Sequence, residues 1–186
     1  MTPGKIHIHE DDWGMRSLHP LMALAHYRTD LDKAAQHAVH HAAPGGTGWT
    51  DVHVIANAPE EQAQFATLTP EAFGAALAFL PRVMQFNATA SAGFEKHDEW
   101  GYYNSEALCF GHDADFYLIC THDAGVIREI FFELSSPDEV RLGFFREALS
   151  RLNAIEPLCL VDYWTDTVLD AADEEALDAY CRLLSE

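Results

Sequence analysis

The sequence predicts an α+β fold that forms a single globular domain over residues 1–186. The chain has 186 residues, of which 48% are hydrophobic, and this is enough material for a packed core. Three strand-like runs follow one another at about 107–134, joined by links short enough for hairpins. Helical patterns stand before and after these runs. We therefore expect an antiparallel β-meander in a larger mixed sheet, packed by about four to five helices.

The first part of the chain is predicted to form a strand and then a long helix. Residues 5–9 alternate between polar and apolar side chains, as a half-buried strand does. Residues 18–42 have an apolar stripe at helical spacing, with a break expected near residues 29–32. That stripe consists of Leu24, Leu31, Ala35, Ala38 and Ala42. The glycine-rich run at 44–48 ends the helix, and residues 51–56 have the alternation of a second strand.

The middle of the chain begins with a clear helix start. The Thr69 hydroxyl can cap the helix, and Pro70 suits the first helical position. The helix should end at Pro81, because proline cannot continue it. Residues 83–90 are predicted to be a strand, and residues 91–105 an aromatic-rich loop.

The meander strands are predicted at 107–110, 116–122 and 126–134, with the middle strand buried on both faces. A capping box at 136–139 then opens a helix that continues to about Leu152. Its core stripe is predicted to be Val140, Phe144, Ala148 and Leu152. A strand at 157–164 and a helix from Ala171 to Leu184 complete the chain.

The charge balance excludes two classes of partner. The chain has 30 Asp and Glu against 11 Lys and Arg, a net charge of −19. Nucleic acids and anionic membranes both require a cationic surface, so we expect neither as a partner. No apolar run approaches the roughly 20 residues of a membrane span, and residues 1–12 lack the apolar core of a signal peptide. These features predict a soluble, cytoplasmic protein.

The four cysteines do not have the spacing of a metal site. None of them forms a C-x-x-C pair, which zinc ribbons and fingers need in order to present two thiolates to one ion. Most lie in apolar, strand-like stretches. We expect them to be buried, reduced thiols, and we expect no cofactor.

An H-x-H motif offers an alternative. His7 and His9 lie two residues apart on a predicted strand, so both imidazoles project from one face. With Asp11, and with Asp162 from elsewhere in the fold, they could bind Zn²⁺ or another divalent transition metal ion. This alternative predicts a small metal-dependent hydrolase. The simpler interpretation is a strand edge with Ile6 and Ile8 facing the core.

A second group of histidines lies on the long predicted helix. His37, His40 and His41 have spacings of three and four residues, which bring them to neighbouring positions on a helix. Measured against the apolar stripe, they fall mainly on a solvated face. We therefore expect any metal binding there to be adventitious.

Acidity is the largest departure from average composition, and residues 156–186 carry nine acids and one base. We expect an interaction surface composed of Trp100, Tyr102, Tyr103, Asp166, Asp170, Asp173 and Glu174. The predicted function is an acidic binding protein that docks or neutralises a basic protein. In charge and size the chain is similar to the immunity proteins that neutralise basic nuclease toxins, although it shares no motif with them.

Overall fold

The computed structural model describes residues 4–9, 13–43, 45, 48, 50–54, 56–89, 94–97 and 99–185. These residues form one sheet of ten strands: β1 (Gly4–Ile8), β2 (Arg16–Pro20), β3 (Arg82–Asn87), β4 (Phe94–His97), β5 (Gly101–Asn104), β6 (Ala107–Asp113), β7 (Phe116–Asp123), β8 (Val126–Leu134), β9 (Leu158–Asp162) and β10 (Thr167–Asp170). The helices in the same residues are α1 (Leu24–His40), α2 (Glu60–Ala63), α3 (Pro70–Ala76), α4 (Glu139–Asn153) and α5 (Glu174–Ser185). The predicted α+β class is confirmed.

The sheet is mixed, and it contains the predicted meander. Its strand order is β10-β9-β2-β8-β7-β6-β3-β5-β4, and β1 pairs in parallel with β3. Strand β6 pairs with the start of β3 and β5 with its end, whereas β1 pairs along Val83–Asn87. Because a strand has two hydrogen-bonding edges, β1 must take the opposite edge of β3. Thus β1, β4 and β5 lie at one end of the sheet, and β9 and β10 lie at the other.

Both faces of the sheet are covered, as the doubly apolar β7 predicts. Helices α3, α4 and α5 pack on one face, where Leu118 and Cys120 of β7 meet Phe145 of α4 in the largest core cluster. The alternate β7 residues, such as Ile119, point to the other face and form a smaller cluster. On that face α1 lies over β9, where Tyr27 packs in a third cluster.

Helix α1 departs from its prediction in two ways. Residues 18–20 belong to β2 rather than to the helix, and Leu24–His40 is continuous, without the expected break. The predicted stripe is not a core face along its whole length. Within the helix only Tyr27, Asp30 and Leu31 are buried, and Ala35 is exposed. The second half of α1 therefore contributes no buried residue to the core.

Two other segments were assigned wrongly from the sequence. Residues 51–54 and 56 form no strand, although they alternate, and Val52 and Val54 are about four-fifths exposed at 80% and 79%. Ile55 lies outside the described residues. The region predicted as a loop at 91–105 contains the β4–β5 hairpin. Gly101 begins β5 with φ of +91°, and a Cβ there would collide with the backbone carbonyl oxygen of Asn87.

The other predicted elements are present, but α3 ends at Ala76 rather than at Pro81, and neither β10 nor the short helix α2 was predicted. All four cysteines are buried and unpaired, as expected of reduced thiols. Among the described residues, no helix combines the length and the apolar character that crossing a bilayer requires.

Candidate functional site

Two of the nine acids in the acidic region are internal and cannot contribute to a docking surface. Glu156 and Asp162 are 6% and 0% exposed. The Glu156 carboxylate accepts backbone N–H bonds from three consecutive residues, Ala66, Thr67 and Leu68, at 2.8–2.9 Å. Burial alone would raise the pKa of Glu156, but these hydrogen bonds hold it below its ordinary value. Glu156 therefore anchors the segment before α3.

Asp162 is the centre of a buried polar network. Its carboxylate accepts hydrogen bonds from Arg16 Nε at 3.0 Å and from the Tyr180 hydroxyl at 2.9 Å. The Arg16 guanidinium also pairs with Glu133. These contacts tie β2, β8, β9 and α5 together, and they make Asp162 a structural residue.

The H-x-H alternative requires His7 and Asp162 to meet, and the structure does not bring them together. His7 is on β1 and Asp162 on β9, and strands β2, β8, β7, β6 and β3 lie between. The buried Asp162 carboxylate already accepts the bonds of the network. His9 is exposed just after β1, and Asp11 lies outside the described residues.

The predicted aromatic residues lie far from the predicted acids. The Trp100 ring stacks on His7 with centroids 5.3 Å apart, and the Lys5 ammonium stands 4.8 Å over the same indole. Tyr102 and Tyr103 are on β5. Six strands separate β5 from β10, so Trp100, Tyr102 and Tyr103 do not share one surface with Asp166 or Asp170.

Four of the predicted acids do lie in one part of the fold. Asp166 is in the β9–β10 turn, Asp170 ends β10, and Asp173 and Glu174 begin α5. Asp170 accepts from the Ala172 N–H at 2.8 Å, and Asp173 from the Ala176 N–H at 3.0 Å. These bonds stabilise the turn and the helix start, and they leave the negative charges at the surface.

A groove of about 460 Å³ runs between α4 and α5 beside these acids. Its lining residues are Arg146, Ser150, Asn153, Ala154, Ala171, Ala172, Glu174, Leu177 and Asp178. Arg146 is ion-paired with Asp178, which leaves Glu174 as the unbalanced charge of the lining. The groove is therefore apolar at Leu177 and the alanines, and acidic at its α5 side.

Trp164 is an exposed aromatic residue at this end of the sheet, and it was missed because the sequence places it at the end of a predicted strand. It lies in the β9–β10 turn with 53% of its surface exposed. Its backbone N–H donates to Asp162 Oδ1 at 2.8 Å, so a buried carboxylate fixes the turn. The sequence feature that could have indicated its exposure is its place in the polar run that leads to Asp166.

Two imidazoles and a carboxylate meet at the C-terminal end of α1, those of His37, His41 and Asp51. The His37 and His41 rings stack with centroids 4.2 Å apart and an interplanar angle of 23°. Asp51 places Oδ2 3.3 Å from His37 Nε2. One ligand atom from each of the three residues lies within 4.8 Å of the others. Within the described part of the chain, they form the one group of three histidine, cysteine or acidic side chains that meets this spacing.

The sequence analysis also missed a partly buried chain of hydrogen bonds that runs from β2 to α1. Ser17 Oγ and His19 Nε2 are 2.8 Å apart, and His19 Nδ1 lies 3.2 Å from the Tyr27 hydroxyl. A hydroxyl in contact with an imidazole is the nucleophile–base arrangement of serine hydrolases. Burial, with a smaller effect of His26, lowers the pKa of His19 to about 4. The signal in the sequence is the two-residue spacing of Ser17 and His19 on one strand.

This chain suits a structural role better than a catalytic one. A general base works best when its pKa is near the working pH, and at neutral pH an imidazole with a pKa of about 4 is a weak proton acceptor. The adjoining cavity is about 100 Å³, below the roughly 300 Å³ at which small-molecule sites begin. The contacts instead connect β2 to α1 through Tyr27.

The lowered pKa of His19 predicts a pH dependence of stability. Between pH 6.5 and about 4 the unfolded state binds a proton that folded His19 does not, so stability falls as the pH falls. Lowering the His19 pKa from 6.5 to about 4 corresponds to a loss of up to about 3 kcal/mol in the free energy of unfolding. Urea unfolding of the wild type and His19→Gln across this range should show a weaker dependence in the variant. Equal slopes, or an NMR titration midpoint for His19 near 6.5, would contradict the prediction.

Comparison of the chain with protein-family models, with curated proteins and with solved structures gives no match. The physical features of the molecule therefore carry the functional argument.

Proposed function

We propose that this chain is an acidic interaction protein that docks a basic protein at its β9–β10 and α5 end. The observation that carries the proposal is an exposed tryptophan in a turn fixed by a buried carboxylate, followed along the chain by surface carboxylates. Trp164 is 53% exposed, and Asp166, Asp173 and Glu174 are exposed near it along the chain. Aromatic anchors surrounded by charge of one sign are typical of surfaces that bind proteins.

The electrostatics of this end support a cationic partner. Arg146 and Arg151 of α4 are each paired within the chain, with Asp178 and Glu147. Surface carboxylates therefore stay in excess, in keeping with the net charge of −19. A field of a single sign accelerates association with a partner of opposite charge, and salt weakens it.

The geometry of Trp164 supports an anchor role for its side chain. The Asp162 carboxylate accepts the backbone N–H of Trp164 at 2.8 Å and that of Thr165 at 3.3 Å. A turn fixed in this way loses little conformational entropy when the indole is buried by a partner. The α4–α5 groove would receive the basic segment on the acidic side.

The first test measures binding of a fluorescent arginine-rich peptide by anisotropy as salt is raised. Glu174→Gln/Glu175→Gln should weaken binding about fivefold or more, since two exposed charge contacts are lost. Trp164→Ala should weaken it about tenfold or more. The matched control is Glu95→Gln/Glu99→Gln, which changes the net charge equally at the other end of the sheet.

The comparison of the two double variants decides the outcome. Equal losses in both would mean that only the overall charge attracts the peptide, and the docking surface would be refuted. Unchanged binding in Trp164→Ala would remove the anchor. Melting temperatures near that of the wild type are required of every variant, because Glu174 and Glu175 also favour the start of α5.

A further inference from the structure

We propose that His37, His41 and Asp51 form a binding site for a divalent transition metal ion of the zinc type. The site lies at the C-terminal end of α1, and the second half of that helix buries no residue in the core. It shares no residue with the docking surface proposed above. The two proposals therefore stand or fall separately.

The donor atoms already approach the spacing that one ion requires. Zinc–nitrogen bonds of about 2.0–2.1 Å in a tetrahedral site set neighbouring donor atoms about 3.3 Å apart. His37 Nε2 and Asp51 Oδ2 lie 3.3 Å apart, and all three donor atoms fall within 4.8 Å of one another. The remaining adjustment is a rotation of side chains at a partly exposed site.

The local fold explains why these residues meet. An i, i+4 spacing sets His41, the C-cap residue of α1, one turn beyond His37, and the His41 N–H donates to the His37 carbonyl at 2.9 Å. Beyond His41 two backbone hydrogen bonds bring the chain back, and in the first of them the Ala43 N–H donates to the Gly48 carbonyl at 2.9 Å. The Thr50 N–H donates to the His41 carbonyl at 2.8 Å, which brings the next residue, Asp51, back over the last turn of the helix.

The carboxylate is oriented and ionised before any ion arrives. Its Oδ1 accepts the Val52 N–H at 2.9 Å, which fixes the carboxyl plane. Hydrogen bonds from Val52 and then from His37 hold the pKa of Asp51 below its ordinary value. An anionic oxygen facing two imidazoles is a donor set for Zn²⁺, Co²⁺, Ni²⁺ or Cu²⁺ rather than for Ca²⁺ or Mg²⁺.

A third imidazole stands beside the group and could complete it. The His53 ring centroid is 5.6 Å from that of His37, and His53 Nε2 is buried without a hydrogen bond to any described residue. Asp30, which the Ala56 N–H fixes, lies 3.5 Å from that nitrogen. A cavity of about 290 Å³ is lined by His37, Asp51 and His53 together with Ala34, Ala38 and Val52. This cavity leaves room for an ion and for exchangeable water ligands.

Calorimetric titration of tag-free, chelator-treated protein with Zn²⁺ alone tests the site. We expect one equivalent of Zn²⁺ to bind tightly and to raise the melting temperature of the protein. His37→Ala, His41→Ala and Asp51→Asn should each weaken that equivalent at least tenfold, about the smallest loss seen when an outer-shell partner is removed. His40→Ala is the matched control, because His40 is exposed at the end of α1 and, among the described residues, bonds the Gln36 carbonyl alone.

Three results would overturn the proposal. The first is the absence of a tight equivalent in the wild type. The second is an equivalent that persists in the His37→Ala/His41→Ala protein. The third is an equivalent that disappears instead in His7→Ala/His9→Ala, which would assign the ion to the H-x-H motif. Far-UV circular dichroism verifies that each variant is folded, and we expect folded variants because the second half of α1 contributes nothing to the core.

Discussion

Replacing Asp162 with alanine is expected to lower the free energy of unfolding by about 3–5 kcal/mol, the cost of removing one partner of a buried ion pair. Asp162 is 0% exposed and accepts from Arg16 Nε at 3.0 Å and from the Tyr180 hydroxyl at 2.9 Å. In the variant the buried Arg16 guanidinium would keep Glu133 but lose Asp162, and the buried Tyr180 hydroxyl would lose this acceptor. Urea unfolding at neutral pH measures the difference.

Asp32→Ala provides the control for this experiment. Asp32 lies on α1 and is exposed, so the same substitution there should change stability by less than about 0.5 kcal/mol. If Asp162→Ala were as stable as the wild type, the buried network would have no role in the fold. If Asp162→Ala kept the stability of the wild type but lost bound metal, Asp162 would be a metal ligand, as the H-x-H alternative predicted.

The Asp162 network also connects the fold to the proposed docking surface. The same carboxylate that pairs with Arg16 accepts the Trp164 N–H at 2.8 Å. The turn that carries the exposed Trp164 is thus held by a buried carboxylate. Any variant that removes Asp162 should therefore weaken peptide binding as well as stability, even though Asp162 contacts no partner.

The part of the fold that could be predicted is the part that local patterns determine. Strands β6, β7 and β8 lie within the predicted span of about 107–134, because short turns and apolar alternation fix a meander without distant contacts. Strand β2 was not predicted. Its residues Arg16 and Ser17 look solvated in isolation, and they are buried by partners far away in the chain, such as Asp162.

Alternation misleads where no strand is available for pairing. Val52 and Val54 alternate with polar residues as a strand does, yet they lie beside the end of α1 and are 80% and 79% exposed. The β4–β5 hairpin shows the opposite case. Its residues are mainly polar or aromatic, and pairing with β3 on one side and β4 on the other makes a strand of Tyr102 and Tyr103.

The candidate sites show the same division. The i, i+4 spacing of His37 and His41 is visible in the sequence, whereas the approach of Asp51 depends on how the chain reverses after the helix. The acidic stretch was visible too. That Glu156 and Asp162 are internal could not be predicted, because their partners come from α5 and from segments as distant as residues 16 and 66–68.

Helix α4 permits the sharpest comparison between pattern and packing. The sequence stripe includes Val140 and Phe144, but Val140 is 63% exposed and Phe144 is half-buried. The buried residues are Phe145, Ala148, Leu149 and Leu152. The core face is therefore rotated toward Phe145, because successive residues are about 100° apart on a helix. Because Phe144 and Phe145 are adjacent, the sequence alone does not decide which of them faces the sheet.

Phe145→Ala is accordingly expected to cost about 3–5 kcal/mol, the usual penalty for emptying a buried aromatic site. Phe145 is 0% exposed. Its ring centroid lies 4.9 Å from that of Phe132 and 6.4 Å from that of Tyr180. Phe144→Ala is the matched control on the same helix, and it should cost less than half as much because its site is partly open to water. If urea unfolding gave the larger loss to Phe144→Ala, α4 would pack on the face that the sequence stripe predicts, and the α4–α5 groove would be formed by different residues.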